Sequence, residues 1–430
     1  MDAPVHADAL THAEDLAGFV AASPSSYHAA AEVARRLEDA GFTRVDEAAP
    51  WPAQPGGRFV VVRDGAVIAW TVPTNATPTT AAHVFGAHTD SPAFRLKPEP
   101  TTGADGWLQA GVEVYGGALL NSWLDRELRL AGRLVLDDGS VRLAATGPLL
   151  RLPQLAIHLD RSQNDGLALD RQRHTQPVWG LGDAESADLL RVVAAHAKID
   201  PARIRGYDLV TADAARGQVF GNDDVFFASG RLDDLASVHA GLAALLRTAQ
   251  EENTPHIALV AAFDHEEVGS ATRSGAAGPF LADVLDRVWR SLGAGGDERA
   301  RALASSWCVS SDVGHSVHPN FPERHDPVVR PVLGSGPILK INANQRYATD
   351  AVGAAAWEGW CQAAGVRGQQ FVSNNAVPCG STIGPMTATR LGIRTVDVGI
   401  PILSMHSARE LAGIADLWAL SRVAESFLRS

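Results

Sequence analysis

The stretch that most restricts the fold is His256 to Phe263, eight residues of almost unbroken apolar character between a proline and an aspartate. A run of that length predicts a strand buried on both faces, which occurs where helices cover both sides of a sheet. It leads straight into Asp264-His265-Glu266-Glu267-Val268-Gly269-Ser270. The polar cluster therefore falls just past the C-terminal end of a central strand, where open α/β sheets place their sites. Two adjacent glutamates there repel each other and resist desolvation unless a cation offsets them. An acidic helix cap after a strand is the plainer alternative, and the rest of the chain weighs against it.

Elements of the same kind recur along the chain. Ser23 to Ser26 offer helix caps, and a helix follows over Tyr27 to Ala40, stopping at Gly41. Arg58 to Arg63 and Ala66 to Val72 flank Asp64-Gly65, a hairpin signal. His83 to Ala87 is a short strand ending at His88-Thr89-Asp90. Between 95 and 227 the texture changes to short β segments (Gly111 to Tyr115, Arg129 to Leu136, Val141 to Ala145) with one helix, Ala184 to Lys198. Helix and strand then alternate again: helices at Leu235 to Gln250, Phe280 to Leu292, Ala351 to Ala364 and Ala408 to Leu428, strands at Trp307 to Ser311 and Thr395 to Val398. The pattern implies an α/β fold, a mixed sheet flanked by helices on both faces, built from residues 1–94 and 228–430 and interrupted by a β-rich insert at 95–227. An insert that merely continues the same sheet is the alternative.

Five further polar positions fall at strand ends or in loops beside the acidic pair: His88, Asp90, Asp233, Asp312 and His406. Singly, each reads as a cap or a solvated loop residue. Together at one sheet edge they suit a pair of divalent cations, with zinc, cobalt or manganese favoured by imidazole and carboxylate ligands. Gly269 stands where a second histidine of H-E-x-x-H would be, so the single-zinc helical design is absent. Three carboxylates (−3) facing two divalent ions (+4) leave positive charge to acidify a bridging water. One glutamate of the pair then stays free as general base, and spacing does not decide between Glu266 and Glu267. Asp90 is placed to accept from the far nitrogen of His88 and fix its tautomer.

Composition removes several rivals. A net charge of −12 argues against nucleic acid and anionic membrane as partners. Three dispersed cysteines argue against a thiolate metal site and a disulfide framework, and favour the reduced cytoplasm. Met1 to Val20 lacks the basic start and apolar core of a signal peptide. No apolar stretch is long enough to span a bilayer.

Seven strings in order complete the reading: AHTDSP (87–92), RLDD (231–234), DHEEVGS (264–270), SSDVGHSVHPN (310–320), KINANQRY (340–347), PCGSTIGP (378–385) and SMHSARE (404–410). They resemble the aspartyl aminopeptidase family of two-metal aminopeptidases over nearly the whole chain. The resemblance implies that Asp233 bridges the metals, that Glu267 and His406 complete one site and His88 and Asp312 the other, and that Glu266 is the base. It implies removal of an N-terminal Asp or Glu from peptides, with Lys340 as the cation of the first specificity pocket and Arg346 and Tyr347 as further candidates there. The insert resembles the family's dimerisation lid, with His158 reaching into a partner subunit to stabilise the tetrahedral oxyanion. Dimers assembled into a dodecamer are implied too. Asp234 stands where eukaryotic relatives carry asparagine, and bacterial relatives are less uniformly tied to acidic substrates. A broad-specificity two-metal aminopeptidase, an N-acyl amino acid deacylase, and a non-catalytic assembly protein of the same fold are the competing readings.

Overall fold

A computed structural model describes residues 3–52, 55–251 and 254–430. The expected central strand is present as Ile257–Phe263, with all seven residues buried. It pairs in parallel with Ala82–His88, which pairs in parallel with Trp307–Ser311, and that strand with Arg394–Gly399. On one flank lie the antiparallel hairpin Arg58–Arg63 and Ala66–Thr71 and the short strand Thr43–Arg44. On the other lie Ile338–Lys340 and Gln369–Phe371, completing a nine-stranded mixed sheet.

Both faces are covered, as a doubly buried strand requires. One face packs under helices Ala3–Ala22, Ser26–Asp39, Leu232–Thr248 and Ile414–Arg429, through Leu16, Phe19, Leu235, Leu242, Leu417 and Phe427. The other packs under Phe280–Ser291, Gly296–Ser305 and Ile383–Leu391, through Val284, Trp289, Ala302 and Ile383. Among the described residues no helix is long and apolar enough to cross a membrane.

The middle of the chain makes a sheet of its own. Ala93–Thr102, Trp107–Tyr115, Val178–Leu181, Leu150–Arg151, Glu127–Leu136 and Ile204–Asp213 pair in turn, and the last returns to pair with the first, closing a six-stranded barrel. Val141–Ala145 hangs on its edge, and a separate core of Phe94, Leu130, Leu134 and Leu209 fills it. The chain then leaves the barrel. Gln218–Phe220 and Phe226–Ser229 join a five-stranded sheet with Glu410–Gly413, Pro401–Leu403 and Gly314–His315.

That small sheet corrects one expectation. The closing helix does not begin at Ala408; Glu410–Gly413 is a strand pairing with Phe226–Ser229, and the helix starts at Ile414. Apolar periodicity continues through both elements, so it could not separate them. The expected helix at Ala184 likewise starts later, at Leu189, where the Asp188 side chain caps the Arg191 N–H.

Candidate metal centre

Three parallel strands end at one edge of the large sheet and deliver the acidic and imidazole groups. His88 is the last residue of its strand and lies in register with Phe263, so the loop from Asp264 to Ser270 starts beside it. Asp312 follows the next strand. The other two positions lie beside the small sheet: Asp233 in the irregular first turn of the helix Leu232–Thr248 that follows Phe226–Ser229, His406 in the loop between Pro401–Leu403 and Glu410–Gly413. Sequence order suggested that the Thr395 strand delivers His406; a further strand intervenes.

The five groups converge. Asp233 stands between two imidazoles, its Oδ1 3.1 Å from His88 Nε2 and its Oδ2 3.2 Å from His406 Nε2. His88 Nε2 is also 3.8 Å from Asp312 Oδ1, and His406 Nε2 is 3.4 Å from Glu267 Oε2. Candidate ligand atoms of His88, Asp233 and Glu267 all lie within 4.8 Å of one another, as do those of His88, Asp234 and Asp312. Asp234, which sequence reasoning left at the margin, is fully buried, and its Oδ2 accepts the His88 N–H at 3.2 Å.

The donor set fits a cation. Asp234 Oδ1 and Glu267 Oε1 are buried with no hydrogen-bond donor to satisfy them, and Asp233 Oδ1 faces only the His88 imidazole. Buried carboxylate oxygens in that state are costly unless a positive charge faces them. The proton affinities say the same. Burial and the neighbouring Asp233 push Glu267 well above the usual carboxylate range. Burial, together with Asp312, Asp233 and Asp90, lifts Glu266 to about 7 against the opposing pull of His88. Burial opposes a charge on His88 and His406, but the facing carboxylate of Asp233, joined for His88 by those of Asp312 and Asp90, outweighs it; His88 rises well above the ordinary histidine value and His406 to about 9. Protons and metal ions compete for these same lone pairs.

Asp90 faces the far nitrogen of His88, mainly through its backbone carbonyl. His88 Nδ1 lies 3.1 Å from the backbone carbonyl of Asp90 and 3.5 Å from its carboxylate. The carboxylate also accepts the N–H groups of Glu266 and Glu267, at 3.0 and 3.1 Å, and the hydroxyl of Tyr115, at 2.8 Å. It thus fixes the turn that aims both glutamates, a turn entered through His265 with φ +65°. Tyr115 belongs to the barrel, and the two glycines after it lie against the cluster. A Cβ on Gly116 would meet Glu267 Cβ at 3.1 Å, and one on Gly117 would meet His406 Nδ1 at 3.1 Å. The Gly117 carbonyl is 3.1 Å from that same nitrogen.

Lys340 is not the surface lysine its place on a short strand would allow. It is 2 % exposed, donates to the Val313 carbonyl at 2.9 Å, stands 3.6 Å from Asp312 Oδ2 and lies over the Tyr347 ring. Tyr347 is buried and lines a cavity of about 400 Å³ with His315, Phe321, Phe371 and Cys379. Arg346 is exposed on the turn before it, and His158 is exposed in a turn between barrel strands. The structure brings neither of these two into the cluster.

The chain is similar to known proteins over nearly its whole length. The family described as aminopeptidase I zinc metalloprotease (M18) matches residues 19–428. A probable M18 family aminopeptidase 2 of Streptomyces avermitilis is 53% identical over 432 residues, covering all of both chains. Among solved structures, a chain of the Ape4 and Nbr1 complex superposes with a TM-score of 0.95 at 36% identity, covering 99% of this chain and 86% of that one. A chain of the S. cerevisiae mApe1 dodecamer superposes at 0.84 with 30% identity, covering 96% and 95%.

Proposed function

The chain belongs to the aminopeptidase I zinc metalloprotease (M18) family, and on that premise we propose that it removes an acidic N-terminal residue from peptides with the help of two zinc ions. The observation that carries the two-ion reading is Asp233, whose two oxygens face different imidazoles. His88 and Asp312 would hold one ion, Glu267 and His406 the other, with Asp233 between them. Zinc supplies a Lewis acid for the scissile carbonyl and lowers the pKa of water.

Glu266 takes the proton from the attacking water and returns it to the departing amine. Its affinity near 7 suits both halves of that exchange at neutral pH. Asp90 holds it in place through its backbone N–H. Lys340 has three donors; Val313 and Asp312 engage its ammonium, and a substrate carboxylate would complete it. Tyr347 walls the pocket beside it, and Arg346 is the outer candidate. The protein assembles as a homo-oligomer, dimers building a dodecamer, a reading supported by the related mApe1 dodecamer, and His158, exposed on the barrel, reaches a second copy and stabilises the oxyanion. Its three free cysteines are in keeping with a cytoplasmic location.

One observation favours broader specificity. Asp312 partly neutralises Lys340, and Phe321, Phe371 and Val377 give the adjoining cavity an apolar lining. Hydrolysis of Asp-, Glu-, Leu- and Lys-anilides, with and without chelator, decides between the two readings. Acidic anilides are expected to lead, and Lys340→Gln to lower the Asp-to-Leu ratio by about 10–100-fold, the value of a charge-assisted contact. A leading Leu rate in the unmodified enzyme overturns the acidic reading.

A further inference from the structure

Glu410 is 2 % exposed at the start of the strand Glu410–Gly413, and no role follows for it from its place in the sequence. Its Oε2 accepts the Asp233 N–H at 3.0 Å, and its Oε1 accepts the His406 N–H at 2.8 Å. One carboxylate thus ties together the backbones of two candidate ligands that lie 173 positions apart (406 less 233). Neither amide belongs to a regular ladder. Asp233 has φ −80° and ψ 103°, outside the helical range, and His406 has φ +63°. A non-glycine residue at positive φ persists only where its surroundings hold it. The base of the clamp is itself fixed: Glu410 pairs with Ser229, four residues before Asp233, and Ala412 pairs with Ile402, four residues before His406.

We propose that Glu410 is a positioning residue for the metal centre, setting the separation between Asp233 and His406 and thereby the affinity for the ion on the Glu267–His406 side. It rests on the two-ion reading above. It mirrors Asp90, which serves the other loop by accepting from Glu266 and Glu267. A carboxylate with a merely structural role would stabilise the fold without favouring one ion. A positioning carboxylate lowers affinity selectively when removed.

The test is zinc titration of the full-length, metal-stripped protein against a chromophoric chelator, with folding checked by circular dichroism. Glu410→Gln keeps the side-chain size but turns an NH2 group toward one of the two amides; Glu410→Ala removes both acceptors. Glu410→Gln should raise the dissociation constant of one ion by about tenfold or more, and Glu410→Ala further, while the other ion stays within about twofold. The weakened ion must be the one that His406→Ala also loses. Asp416→Asn is the control, because Asp416 is a buried carboxylate that likewise accepts two backbone N–H groups, from Gly334 and Gly336, but away from the centre. It should leave both affinities unchanged. Unchanged affinities in Glu410→Gln, or equal weakening of both ions, overturn the proposal; if Glu410→Ala does not fold, Glu410→Gln decides. A parent protein that binds a single ion defeats the two-ion reading by itself, and Glu410 is then judged by the same tenfold criterion on that ion.

Discussion

His83 and His88 lie on one strand, and both are buried, yet their proton affinities move in opposite directions. His83, near the strand's start, stacks on His256 with ring centroids 3.6 Å apart and on Phe427 at 4.8 Å. It bonds to the Phe427 carbonyl at 2.8 Å, and His256 bonds to the Leu428 carbonyl at 2.9 Å. Burial pushes the pair down to about 4 and about 3. His88, at the strand's end, is still more buried, but Asp233 and Asp312 reverse the sign. Burial by itself makes a histidine that locks a helix to a sheet. Burial among undersatisfied carboxylates makes one that invites a cation.

The largest test of that contrast lies at the acidic end. Glu266→Gln should lower kcat by about 10²–10⁴-fold while zinc content stays at the parent level. Turnover retained in the variant would remove Glu266 as the base and leave the acidic end without an assigned proton carrier.

Metal linkage separates the two histidines next. Free zinc at a hundred times the dissociation constant of one ion should raise the unfolding free energy by about 2.7 kcal/mol for that ion, read by urea denaturation with and without chelator. His88→Ala should lose the increment of the ion it shares with Asp312, and His83→Ala should keep it. The reverse outcome would exchange their roles.

The smallest effect is at the structural end. His83→Ala should lower stability by about 1–3 kcal/mol through lost stacking and an orphaned Phe427 carbonyl. The sign with pH follows from the depressed affinities. Below the unfolded value of 6.5 the unfolded chain binds more protons at these positions, so their contribution is present above 6.5 and disappears as pH falls toward about 4 and about 3. Urea midpoints between pH 7 and pH 4 should therefore drop more steeply in the parent than in a His83→Phe, His256→Phe double variant. Equal slopes would show that the pair does not titrate with unfolding.

The parts of this molecule that were legible in the chain are those set by short-range pattern. The runs ending at Ala87, Phe263 and Ser311 are apolar enough to be central strands, and polar residues past a central strand have one edge to occupy. Asp64-Gly65 made its hairpin for the same local reason. The parts that were not legible depend on partners far away in sequence. Barrel closure needs Ile204–Asp213 to pair with both Ala93–Thr102 and Glu127–Leu136, which no periodicity announces. The helix Ala3–Ala22 went unread because its alanines give little amphipathic signal. Glu410 acts on backbone N–H groups, which carry no residue identity, so no pattern of ligand-type side chains singles it out; Asp90 stands out beside His88, but its hold on the Glu266 and Glu267 N–H groups does not.

Gly116 and Gly117 bring the barrel against the candidate ligands Glu267 and His406 with no side chain between them. A shift of the barrel by a few tenths of an ångström would therefore reach Glu267 and His406 almost undamped. Whatever grips the outer barrel wall has a short lever on the chemistry.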